Sequence, residues 1–283
     1  MECPVCGNSS TSIFFNYPDF LLMDCPDCDL IFQPENSRSK SIDLIPKIYN
    51  DDWIQMREQW MRSSYLDHGS FNMLMLQALI PNRGKLLEIG SGTGEFLNMA
   101  RAAGWDALGI EPSPASCAYI AENYQLPVIE DIWSPELHLP ENSFDAVVFW
   151  HVFEHVPEPI AFLKEISSLL KPECFLFFSV PNRYCLKNEL LNASSPLFTE
   201  ADHLYHHSER SLRRIIEKAG LELHSLFSRQ TFTELESTTS IHPVYRSLTF
   251  PQKMELLAQL QAEMRGHELF CVAKKGGSLE SLA

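Results

Sequence analysis

The chain has 283 residues, 45% hydrophobic and 21% charged, which suits a globular protein of one large domain with an appendage, or of two modest domains. Its 22 basic and 37 acidic residues give a net charge of −15, a poor match for nucleic-acid phosphates or anionic membranes. No apolar run approaches the roughly 20 residues of a membrane-spanning helix, and the opening MECPVCGNSS has neither the basic nor the apolar region of a secretory signal, so a cytoplasmic address is expected.

The first element is a pair of C-x-x-C knuckles. Cys3, Cys6, Cys25 and Cys28 have the spacing C-x2-C-x18-C-x2-C of a zinc site. Each knuckle supplies two corners of a tetrahedron around one Zn²⁺, and Gly7 permits the tight turn. With four protein ligands such a site is structural, with no position left for water. Two disulfides or four unrelated thiols are the alternatives. Cys117, Cys174, Cys185 and Cys271 sit among apolar residues and read as core. A zinc ribbon can hold nucleic acid, but residues 1–50 carry only Arg38, Lys40 and Lys47 against seven acids. That is the wrong sign for RNA, and nucleic acid is not an expected partner.

Residues 1–35 form the expected ribbon, and 36–83 a linker followed by a helical lid. Residues 36–48, with Pro34 and Pro46 at or near their ends, read as the linker. From 49 to 80 the pattern is helical: Trp53, Met56 and Trp60, then Phe71, Leu74, Met75 and Leu79, recur at three and four until Pro81 and Gly84. Strands and helices then alternate through 84–275. Strands are expected at 85–90, 107–110, 127–130, 144–150 and 174–180, with helices at 94–103, from Ser113 to about Asn123, and at 159–170. Pro172 halts the last of these. Ser208 caps a further helix that Gly220 ends, and strands at 221–227 and 267–275 close the chain. Between them, about 229–266 is an insertion with one helix near 251–265. This alternation predicts an α/β fold, a doubly wound, mostly parallel Rossmann-like sheet with ligands outside the carboxyl ends of its strands.

After the first of these strands comes EIGSGTGEF. Gly90, Gly92 and Gly94 let the backbone turn and approach a ligand closely. Glu111, at the end of the next strand, stands where an acid accepts both hydroxyls of a ribose; a solvated strand-end acid is the alternative. The dinucleotide pattern G-x-G-x-x-G is not met, and Glu95 and Glu88 would repel a pyrophosphate. A positively charged cofactor suits the loop better, and NAD is a distant reading.

LLEIGSGTGEFL, GIEPS, EDIW and FDAVVFWHVFEHVPEP resemble, in order, the successive motifs of class I S-adenosylmethionine-dependent methyltransferases, over about residues 84–228 with a closing strand at 267–275. The resemblance implies a sheet whose last strand is antiparallel. It implies that Glu88 anchors the amino end of the cofactor, that Gly90, Ser91, Gly92 and Gly94 lie against its methionine and ribose portion, and that Glu111 holds the ribose. Asp131 would accept from the adenine amino group with Ile132 beside the ring, and Pro112 and Trp150 join the same surface. For Asp131 the alternative is a loop acid without a ligand.

HVFEHVPEP, 151–159, has the H-x-x-E-H spacing of an inverted zinc-peptidase motif. Pro157 and Pro159 leave room for barely one turn, so the segment reads instead as the loop after the fourth strand of the resembled family. Methyltransferases of ubiquinone biosynthesis look similar here and carry acid and histidine residues implicated in divalent metal binding. Glu154 and His155 match that pattern; His151 stands where it has an acid, which disfavours a hard cation. His151 is expected to face cofactor or substrate, and His155 to pack in the loop.

HLYHHSERSL supplies further histidines, and the candidate general bases are His151, His203 and His206; surface histidines beside a capping Ser208 are the alternative. The fifth strand ends SVPN, unlike the N/D-P-P-Y/F of amide- and exocyclic-amine-methylating relatives. The leading expectation is an enzyme that methylates O or C of a small molecule with S-adenosylmethionine, with structural Zn²⁺ in the ribbon. The acceptor could be a quinone precursor, a sugar nucleotide or a secondary metabolite. An RNA methyltransferase that uses the ribbon to hold RNA, and a non-catalytic zinc-ribbon binding protein, are the alternatives. The insertion is expected to be either a lid or a homo-oligomer contact.

Overall fold

The computed structural model describes residues 1–35 and 41–276. The expected basic residues Arg38 and Lys40, and the first five residues of the expected linker, 36–40, lie outside the described residues. An antiparallel hairpin and a third strand come first: β1 Ser12–Asn16, β2 Leu21–Cys25 and β3 Leu30–Phe32. Helix α1, Ser41–Ile48, occupies the end of the segment read as linker. Asn50 caps α2, Asp51–Met56, by accepting from the Trp53 amide. A π-helical turn, Arg57–Met61, leads into α3, Arg62–Leu79.

The main sheet then begins with β4 Lys85–Ile89, α4 Glu95–Ala102, β5 Asp106–Ile110, α5 Pro114–Asn123 and β6 Val128–Ile129. It continues through β7 Phe144–Trp150, α6 Pro159–Leu169 and β8 Leu170–Pro181. The strand expected at 127–130 is only two residues long. The fifth strand is longer than its apolar run, because Lys171, Pro172 and Glu173 continue directly out of α6 across a register shift against β7. Short helices α7 Leu186–Leu191 and α8 Pro196–Thr199 precede β9 Tyr205–His206 and α9 Glu209–Lys218. At α9, Ser208 and Ser211 form a reciprocal capping box.

After β10 Glu222–Arg229, the insertion holds three helices rather than one: α10 Phe232–Ser240, α11 Pro243–Arg246 and α12 Phe250–Ala262. Thr231 and Glu234 box the start of α10, a cap signal present in the sequence. Strand β11, Glu268–Lys274, ends the sheet, whose order is β10-β11-β8-β7-β4-β5-β6. β11 is antiparallel to both neighbours and every other pairing is parallel.

Adjacent residues of the central strands enter opposite layers, as the pleat requires. Leu86, Val148 and Phe177 pack with Met73, Leu76, Phe96 and Leu97 of α3 and α4. Leu87, Val147 and Phe178 pack on the other side with Phe162, Ile166, Leu212 and Ile215 of α6 and α9. Each such side chain contributes roughly 1.5–3 kcal/mol on burial.

The ribbon is built into this second layer. Strand β9 pairs with β3 and completes a four-stranded sheet β1-β2-β3-β9. Cys3, Cys25 and Cys28 are buried in the same apolar cluster as Leu212 and Ile215. Arg183 bridges Asp24 and Asp29 at 3.0 Å, and Lys218 donates to the Val5 carbonyl at 2.6 Å.

Candidate functional site

The carboxyl ends of β4, β5 and β7 open on a cavity of about 780 Å³, within the size range of small-molecule sites. Helices α1 to α3 supply its opposite wall through Tyr49, Trp53, Arg57 and His68. The turn after β4 depends on glycine. Gly90 has φ +72°, and a Cβ there would stand 2.4 Å from Val152 Cγ2. Gly92 has φ +54°, and its Cβ would meet the Arg57 guanidinium at 3.0 Å.

Three carboxylates surround this turn. Glu111 accepts from the Gly92 amide at 2.7 Å and the Ser113 amide at 2.8 Å, yet burial pushes its carboxyl up to about 7. Glu88 is buried; its Oε2 has no hydrogen-bond partner among the described residues, and desolvation followed by the neighbouring Glu95 raises its pKa well above the usual carboxyl range. Glu95 accepts from Thr93 Oγ1 at 2.6 Å and from Arg57 Nη2 at 3.0 Å. The Arg57 guanidinium lies 3.5 Å over the Tyr65 ring.

Trp150, at the end of β7, stacks on Phe270 with centroids 5.8 Å apart, and its buried Nε1 has no hydrogen-bond partner among the described residues. His151 follows with φ +54°, a conformation rare outside glycine. Its Nε2 lies 2.8 Å from Glu268 Oε2 and its Nδ1 3.5 Å from Glu154 Oε1. Burial alone would lower the His151 pKa, but Glu154 and Glu268 outweigh it and hold the ring well above its usual range. Across the five residues of the motif, 151–155, the helical stretch is only the short turn Phe153–His155, so the inverted zinc-peptidase geometry is absent there.

The cavity brings together Glu88, Gly90, Ser91, Gly92, Glu111, Pro112, Ile132, Trp150, His151 and His203. Gly94 and Asp131 are not part of its lining. Asp131 is exposed and accepts from the Ile132 amide at 2.7 Å, a local turn bond. Of the expected bases, His206 is not on the cavity: strand pairing draws it into the ribbon sheet, where it packs on Phe198. Burial lowers its pKa well below the usual range. His151 lies between two carboxylates, which favour its protonated form. His203 lines the cavity with Nε2 3.0 Å from Glu200 Oε2, and burial followed by the neighbouring His155 lowers its pKa to about 4. His155 is turned to Asp202, with Nδ1 3.0 Å from that residue's carbonyl, and ligand atoms of Glu154, His155 and His203 lie within 4.8 Å of one another.

Sequence reasoning missed a second polar group at the far side of the cavity. Glu268 forms a close ion pair with Arg229, and Arg229 donates to Asn72 Oδ1 at 2.8 Å. His68 Nε2 stands 3.2 Å from Glu234 Oε1. The available signals were an acid opening the apolar strand ELFCVAK and a histidine and asparagine four residues apart on α3.

At the ribbon, the Sγ atoms of Cys3 and Cys28 are 3.8 Å apart and those of Cys6 and Cys25 3.6 Å apart, and all four sulfurs lie within 4.8 Å of one another. Zinc–sulfur bonds of about 2.3 Å at tetrahedral angles put sulfurs about 3.8 Å apart, so the donor set fits one Zn²⁺. Arg214 Nη1, 3.6 Å from Cys28 Sγ, offsets part of the thiolate charge.

The sequence pattern of the methyltransferase domain family matches residues 57–226, more than half of the chain. The chain belongs to this family. It is 32% identical over 108 residues to the ubiquinone biosynthesis O-methyltransferase of Actinobacillus pleuropneumoniae serotype 5b, a match that covers 35% of this chain and 46% of that one. The chain thus spans about half the length of the curated relatives it matches. Its fold is similar to that of phosphoethanolamine N-methyltransferase 2 of Haemonchus contortus in complex with S-adenosyl-L-methionine, with TM-score 0.58 and 16% identity over 83% of this chain and 60% of that one. It is also similar to a SAM-dependent methyltransferase of Archaeoglobus fulgidus, with TM-score 0.51 and 18% identity over 73% of this chain and 94% of that one. At these identities the likeness is one of fold. The family match begins at Arg57, so it takes in α3 and the basic residue over the glycine turn.

Proposed function

We propose that this methyltransferase-family chain transfers a methyl group from S-adenosylmethionine to an oxygen of a small molecule. The observation that carries the reading is the acid-lined glycine turn at the carboxyl end of β4. A buried carboxylate with a free oxygen, Glu88, and a strand-end carboxylate, Glu111, face a cavity suited to a cationic cofactor rather than a pyrophosphate. Relatives named ubiquinone biosynthesis O-methyltransferase favour oxygen over carbon as the acceptor atom.

Glu88 would hold the ammonium of the cofactor, Glu111 the ribose hydroxyls, and Arg57 the carboxylate of the amino-acid end. Ile132 and Trp133 offer an apolar surface for the base. The bound cofactor supplies a methyl group already activated on a sulfonium. The protein then has to align the acceptor and remove its proton. Both ring nitrogens of His151 face carboxylates, which leaves neither free to take that proton. The Glu200–His203 pair can: Glu200 is half-exposed on the cavity, and burial, with Asp202 and Glu154 nearby, pushes its carboxyl up to about 7. Zinc in the four-cysteine cluster would be structural, fixing the wall that carries His203. Among the described residues no helix is long and apolar enough to cross a membrane.

Calorimetric titration of the zinc-replete protein with S-adenosylmethionine and, separately, NAD⁺ tests the reading. Micromolar binding of the first, lost in Glu111→Ala, is the expected result; no binding of the first would overturn it.

A further inference from the structure

The polar group on the far side of the cavity is arranged as a cation site. His151 Nε2 and His68 Nδ1 point at the same oxygen, Glu268 Oε2, from 2.8 and 3.6 Å. The three ligand atoms lie within 4.8 Å of one another. A divalent ion with bonds of about 2.1 Å spaces its neighbouring ligands about 3.0–3.4 Å apart, and the separations of the two ring nitrogens from Glu268 Oε2, 2.8 and 3.6 Å, bracket that spacing. The outer nitrogen of each ring also faces a carboxylate: His151 Nδ1 stands 3.5 Å from Glu154, and His68 Nε2 stands 3.2 Å from Glu234. A carboxylate on the outer nitrogen is the usual support of a metal-bound imidazole, because it fixes the tautomer and the ring plane.

Charge points the same way. Glu154, Glu234 and Glu268 bring three negative charges to this wall, and Arg229 brings one positive charge. A divalent cation that displaces the His151 proton closes the difference. We propose that His68, His151 and Glu268 bind a divalent first-row transition ion of the Zn²⁺, Fe²⁺ or Co²⁺ class at the acceptor end of the cavity. Two imidazole nitrogens select such an ion over Mg²⁺ or Ca²⁺, which prefer all-oxygen shells. The site is separate from the ribbon cysteines. Because His68 and His151 both line the cavity, the remaining coordination positions open onto it, for water or an oxygen of the acceptor. That last consequence rests on the proposed methyl transfer, whereas the ion site itself does not.

The test is titration of the full chain, loaded with a single equivalent of Zn²⁺ for the ribbon cysteines, with Co²⁺, read by visible absorption and without cofactor or acceptor, so that its failure is distinct from failure of the methyltransferase reading. One Co²⁺ per chain is expected, with a d–d band of nitrogen and oxygen ligands and no thiolate charge-transfer band. His68→Ala should abolish the band, and Glu234→Gln, which removes only the support of His68, should weaken binding about 10–100-fold. His155→Ala should leave it intact. Absence of the band in the wild type at millimolar Co²⁺, or its loss in His155→Ala with retention in Glu234→Gln, would overturn the proposal.

Discussion

Arg57 and Glu95, 38 residues apart, meet at 3.0 Å and tie the π-helical turn before α3 to the first residue of α4. Both are largely buried, with 12% and 4% of their side chains exposed. The pair therefore holds the wall of helices α1 to α3 against the glycine turn, and it places the guanidinium over Gly92.

Removing one member leaves the other charge buried. Arg57→Ala should cost about 3 kcal/mol of stability, toward the low end for a broken buried pair because Arg57 keeps some solvent contact. It should also weaken S-adenosylmethionine about tenfold, or about 1.4 kcal/mol. The double variant Arg57→Ala/Glu95→Gln should recover most of the stability and none of the affinity. Denaturant melts and calorimetry on the two variants separate these effects. Recovery of both together would mean that Arg57 acts only through Glu95.

Glu111 predicts a pH dependence. Its folded-state pKa, about 7, lies above the ordinary carboxyl value of 4.5, so between these values the native state binds more protons than the unfolded chain. The carboxyl then contributes stability at low pH that is lost as pH rises through 7. Cofactor binding should run the opposite way, because ribose hydroxyls donate to the ionised form: affinity rises from pH 6 to pH 8. In Glu111→Gln the affinity should be lower and nearly flat over that range. A wild-type profile equally flat would exclude Glu111 as the titrating group.

Zinc removal should loosen more than the ribbon. Cys3, Cys25 and Cys28 share an apolar cluster with Leu212 and Ile215 of α9, and β9 pairs directly with β3. Chelation, or Cys28→Ser, should lower the melting temperature of the whole chain in a single transition and raise hydrogen exchange at β9 and α9. A separate early transition confined to residues 1–35 would show an autonomous ribbon instead.

The sheet was legible because strands buried on both faces carry their pattern locally: Leu86–Leu87 and Val147–Val148 each send neighbours into opposite layers. The glycine turn, Glu88 and Glu111 were legible for the same reason, since strand end, turn and acid follow one another in the chain. The missing parts are tertiary. Arg57 reaches Glu95 of α4, and His68 reaches the Arg229–Glu268 pair of β10 and β11, only when the helical segment before β4 packs over the sheet. His206 was misplaced because a two-residue pairing with β3, invisible to periodicity, draws it into the ribbon. The extra helices of the insertion were partly announced by the capping box of Thr231 and Glu234.

The proton acceptor is the last point at issue, and the two expected bases that line the cavity make opposite claims. His151 sits between Glu268 and Glu154 with a carboxylate against each ring nitrogen, so neither nitrogen is free to accept a proton. His203 is held neutral by burial and faces Glu200, whose carboxyl, pushed up to about 7, is ionised in part at neutral pH. Methyl transfer should therefore rise with pH through about 7 as Glu200 loses its proton. Glu200→Gln and His203→Ala should each lower kcat by about 10²–10⁴-fold, the usual contribution of a positioned base, with little change in the KM for S-adenosylmethionine. The pH dependence should vanish in Glu200→Gln. If instead His151→Ala alone abolished it, the proton would leave through the His151 side of the cavity.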